Sequence, residues 1–78
     1  MKTKVQIKSV FEQVAGKVFT MTNTSETKNY IIEFITSKGI NGTDKQGIIN
    51  KVNACRNVRE LQNYICNSLL MYEGMGVS

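Results

Sequence analysis

The side chains equipped for chemistry are few and scattered. There is no histidine to act as a base near neutral pH, and neither Cys55 nor Cys66 has an identifiable activating partner. Two cysteines without histidine also fall short of the four ligands of an ordinary zinc site. The acidic residues Glu12, Glu26, Glu33, Asp44, Glu60 and Glu73 form no recognisable acid–base pair. The expectation is a non-enzymatic protein with no metal and no cofactor.

The densest cluster of special residues is SKGINGTDKQG at 37–47. A phosphate-binding loop needs GxxxxGK[ST], whose lysine reaches the phosphates and whose hydroxyl reaches magnesium. Gly42 and Gly47 have that spacing, but Ile48 and Ile49 follow, so the chemistry is missing. The dinucleotide pattern GxGxxG is absent, and Asn41 with Asp44 supplies too few oxygens for a calcium loop. Gly39-Ile40-Asn41-Gly42, flanked by Lys38 and Lys45, resembles the GxxG loop with which KH domains clamp a nucleic-acid backbone. The isoleucine that should follow closely is displaced to Ile48, and no sheet is readable afterwards.

A helix-turn-helix is the less strained nucleic-acid reading. Helices at 26–38 and 44–55 would form the pair, presenting Lys38, Lys45, Gln46, Asn50 and Asn53 to bases or phosphates. Against it, the second helix holds no arginine and opens on Asp44.

These segments need elements to hold them, and the pattern predicts an all-α bundle of four short helices, near 4–15, 26–38, 44–55 and 58–73. The first follows from Ile7, Val10, Phe11 and Val14 at helical spacing, with Gly16 as a stop; if Gly16 lies inside, Val18 and Met21 continue the face. Ser25 is the expected cap of the second, which Gly39 ends in a left-handed conformation, with Ile40 folding back as the apolar residue of a Schellman motif. Thr43 with Gln46 fits a capping box for the third. Gly47 within it either admits a close neighbour or is simply tolerated. Asn57 with Glu60 caps the fourth after a joint of two residues, and Gly74 is placed to stop it. Val58, Leu61, Ile65, Leu69 and Tyr72 form its stripe, widened by Tyr64, Cys66, Leu70 and Met71. The alternative is an α+β fold, in which Val5, Ile7 and KVFTMT form a small N-terminal antiparallel sheet packed on two C-terminal helices.

Seventy-eight residues with no repeat, linker or proline suggest one domain, 1–78, with a frayed tail at 75–78. An apolar fraction of 41 % and a charged fraction of 21 % are those of a folded chain. No apolar run reaches membrane-spanning length, and MKTKVQIKS leads into no signal core, so a soluble cytoplasmic protein with reduced, largely buried thiols is expected. The net charge of +4 is dispersed apart from Lys2, Lys4 and Lys8, and suits solubility as well as acidic partners.

What remains is binding. The expected role is a protein-binding module, an inhibitor or adaptor that occupies a partner surface or forms a homodimer, with Leu70, Met71 and Tyr72 as contact residues. The alternative is the helix-turn-helix reader of DNA or RNA.

Overall fold

Apolar residues recurring every three or four positions from Ile7 to Val18 form helix α1, Lys4–Val18, in a computed structural model that describes residues 4–74. The tail expected at 75–78 lies outside the described residues. Gly16 does not stop α1. Val18 is fully buried one turn beyond Val14, and burial of such a side chain, about 1.5–3 kcal/mol, outweighs the roughly 1 kcal/mol cost of a helical glycine. The N-terminal sheet is not formed, since the described residues contain four helices and no strand. In KVFTMT, Val18 closes the helix, and Thr20 and Met21 donate backbone N–H groups to the carbonyls of Lys17 and Val18.

Helix α2, Thr24–Ser37, begins two residues earlier than its pattern suggested. Asn23, not Ser25, is the cap: its Oδ1 accepts the Glu26 N–H at 2.9 Å. The selection comes from Thr27, whose hydroxyl donates to the Asn23 carbonyl at 2.6 Å, so this fully buried side chain leaves no unpaired polar atom. Ile31 and Ile35 follow at four-residue intervals and are also buried. The helix ends as expected. Gly39 has φ +84°, its N–H donates to Thr36 and the Ile40 N–H donates to Ile35, the two bonds of a Schellman motif. Ile40 joins the core.

Helix α3, Gly42–Ala54, departs from its expected start. Gly42, with φ +61°, opens it after Asn41, so Thr43 lies in the first turn and not before it. The capping box does not form, and the Gln46 side chain instead donates to Asn50 at 3.0 Å. A β-carbon on Gly47 would meet no atom within 4 Å; that glycine is tolerated, not required by packing.

Helix α4, Val58–Gly74, has the expected cap. The Glu60 N–H donates to Asn57 Oδ1, and Glu60 Oε1 accepts the Arg56 N–H, both at 2.9 Å, so the return bond falls one residue before the cap. Leu61, Ile65 and Ser68 are buried, with Leu69 and Tyr72 half-buried beside them. Cys66, Leu70 and Met71 do not widen the buried stripe. The buried face turns toward Tyr64 and Ser68, leaving those three residues in solvent.

The first and last helices make the most extensive pairing, α1 on α4, while α2 touches all the others. Phe11, Val14 and Val18 from α1 meet Leu61 and Ile65 from α4 in one core, joined by Ile31, Ile35, Ile40 and Val52. Gln62 Nε2 donates to the Val18 carbonyl at 3.3 Å, tying α4 to the end of α1. Helix α3 rests on α2 and more lightly on α4, and makes no close backbone contact with α1.

Candidate binding groove

Because α3 stops short of α1, a gap opens between α3 and α4 above the α1 surface. It is a groove of about 750 Å³. Phe11 of α1 forms its floor, Asp44, Gly47, Ile48 and Lys51 its α3 wall, and Tyr64, Asn67, Ser68, Met71 and Tyr72 its α4 wall. A groove of this size with an apolar floor and a few polar groups at the rim is the usual form of a binding site.

The floor is held by aromatic packing. The ring of Tyr64 meets that of Phe11 edge-on at 6.0 Å and 88°, and the ring of Tyr72 lies tilted against it at 6.1 Å. The Tyr64 hydroxyl is hydrogen-bonded with Ser68, and burial pushes its phenol up to about 12. Burial, followed by the negative charge of Asp44, raises the Tyr72 phenol as well. The Cys55 thiol at the groove end is raised by burial and then by Glu60, and donates to the Lys51 carbonyl at 3.3 Å. All three groups are therefore protonated at neutral pH, and the groove offers neutral donors around apolar surface. Among the described residues, no group of three or more cysteines and carboxylates is placed to hold a metal ion.

The residues expected to meet a partner separate here. Leu70 and Met71 are 65 % and 54 % exposed, and Met71 forms part of the groove rim. Tyr72 is half-buried and packs on the core. The nucleic-acid candidates lie elsewhere. Gln46, Asn50 and Asn53 are exposed, with Lys45 half-buried beside them, on the outer side of α3 away from the groove. Lys38, at the end of α2, extends its Nζ over the Phe34 ring at 5.3 Å.

Sequence reasoning placed Phe11 and Ile48 in helix stripes but gave them no site. Their role arises from the spacing of three helices, for which no local pattern exists. One further signal was available: residues 61–72, LQNYICNSLLMY, contain no charged side chain, although the chain is 21 % charged.

Comparison with protein-family models, curated proteins and solved structures finds no match for this chain. Among the described residues, no helix is long and apolar enough to cross a membrane.

Proposed function

We propose that this chain is a small, non-enzymatic, cytoplasmic protein-binding module that acts as an inhibitor or adaptor by occupying a partner surface. The observation that carries this reading is the open α3–α4 groove, with its apolar floor beside the exposed Leu70 and Met71. Exposed apolar residues next to a concave apolar surface are the usual composition of a contact core. The occupant that fits is a protein segment presenting apolar side chains on successive turns, seated between two helices. The neutral state of Tyr64, Tyr72 and Cys55 suits docking, because it confines the charged lining to Asp44, Lys51 and Glu60.

The test is affinity capture from extract of the native cell with three baits: wild type, Leu70→Asp with Met71→Asp, and Asn53→Asp. A stoichiometric protein held by wild type and Asn53→Asp but lost by the double variant supports the reading. Retention by all three baits, or no partner combined with a monomeric chain, overturns it.

Nucleic-acid binding by the α2–α3 pair is the second reading, favoured by the exposure of Gln46, Asn50 and Asn53 on one side of α3. It requires binding to random-sequence DNA or RNA that weakens steeply between low and high salt as counterions are released. Absence of binding at low salt removes it.

A further inference from the structure

We propose that the groove is filled by a second copy of this chain, in an antiparallel two-fold pairing of α4 with α4 centred on Asn67. This rests on the groove being a protein-docking site and adds the identity of the occupant.

The first argument is charge. The chain carries +4, with ten lysines and arginines against six acids, so two copies repel over most approaches. Twelve successive residues of α4, Leu61–Tyr72, are uncharged. That stretch extends about 18 Å along a helix. Along it, two copies meet without setting α4 charges against one another.

The second argument is shape. A closed two-fold interface uses the same patch on both subunits, so each patch must contain both a projection and the hollow that receives it. Leu70 and Met71 project beside the groove they would have to fill. Helical spacing places Asn63, Tyr64, Asn67, Leu70 and Met71 along one side of α4. An antiparallel rotation about Asn67 sets Asn63 opposite Met71 of the second copy and Tyr64 opposite its Leu70. Asn67 then meets itself. An exposed asparagine amide carries both donors and an acceptor, so two of them satisfy one another across the axis.

The third argument fixes the direction. Asp44 lies at the Tyr72 end of the groove, close enough to raise that phenol. Lys51 is seven residues further along α3, and near the other end Arg56 pairs with Glu60 at 3.5 Å. Asp44 is thus the charged lining residue at the Tyr72 end, while Lys51 and Glu60 line the other end. Antiparallel pairing keeps the two Asp44 carboxylates at opposite ends of the interface, whereas parallel pairing sets Asp44 against Asp44.

Sedimentation equilibrium from about 1 µM to about 500 µM on wild type, Asn67→Asp and Asn53→Asp tests the pairing, with circular dichroism checking that each is folded. Wild type and Asn53→Asp should dimerise alike. Asn67→Asp places two carboxylates on the axis and should weaken the dimer by at least ~30-fold, since like charges in juxtaposition cost several kcal/mol. A second variant, Asn67→Cys with Cys66→Ser, should form an intermolecular disulfide under mild oxidation, while Asn53→Cys with Cys66→Ser should not. A wild-type monomer throughout the range overturns the proposal, as does a dimer indifferent to Asn67→Asp. A monomer that still captures another protein through Leu70 and Met71 sinks the self-pairing alone. A monomer that captures nothing sinks both readings.

Discussion

Gly47→Ala should make this protein more stable. The residue lies inside α3, its φ is not in the left-handed region, and a β-carbon built on it meets no heavy atom within 4 Å. The folded state therefore acquires no strain, while the unfolded chain loses backbone freedom. The gain is about 0.5–1 kcal/mol. For a domain of this size, that raises Tm by about 2–8 °C. Gly16→Ala has equally open surroundings inside α1 and should give a similar gain. Because α1 and α3 make no close backbone contact, the two gains should add. Gly42→Ala should act in the opposite direction, losing about 1–2 kcal/mol, since φ is +61° there. The assay is urea denaturation followed by far-UV circular dichroism. Loss of stability in Gly47→Ala with an unchanged denaturant slope would refute the reasoning, because it would require a neighbour where the structure has open space.

Alkaline pH should destabilise the chain through its half-buried phenols. Tyr64 loses its proton at about 12 when folded and at about 10 when unfolded, so its contribution is complete below pH 10 and is lost as pH rises through 12. After allowance for partial exposure this amounts to about 2 kcal/mol, and Tm measured against pH should fall less steeply in Tyr64→Phe. Asn57→Ala should cost about 1 kcal/mol by removing the α4 cap, whereas Thr43→Ala should change stability by less than about 0.5 kcal/mol, both read by thermal melts. A thiol reagent should modify exposed Cys66 rapidly and buried Cys55 far more slowly, resolved by peptide mass spectrometry.

The helices were legible wherever a local chemical signal was unique. Asn57 with Glu60 offered one cap for α4, and Lys38-Gly39-Ile40 one way to end α2; both formed. Where neighbours competed, local reading chose wrongly. Asn23, Thr24 and Ser25 all suit a cap, and the buried hydroxyl of Thr27 selects the first. Thr43 and Gln46 have capping-box spacing, but the left-handed Gly42 starts the helix before them. Gly16 resembled a stop until the burial of Val18 decided otherwise. The uncharged stretch 61–72 marked one wall of the groove, but its shape was not legible, because it depends on α3 failing to reach α1. Leu70 and Met71 could be singled out from the width of the apolar stripe, but their separation from half-buried Tyr72 required the tertiary packing.

The pairing of the first helix with the last has a consequence for how the chain is made. Ile7, Val10, Phe11, Val14 and Val18 lack their principal cover until Val58 and the residues after it have been synthesised. About 40 residues separate Val18 from Val58, which at about 5–20 residues per second leaves the α1 stripe without its α4 cover for roughly 2–8 s. A nascent chain stalled within α3 would present these five apolar side chains with only α2 to cover them. Chaperone capture and degradation should therefore be most acute for truncations that stop just short of Leu61 and Ile65.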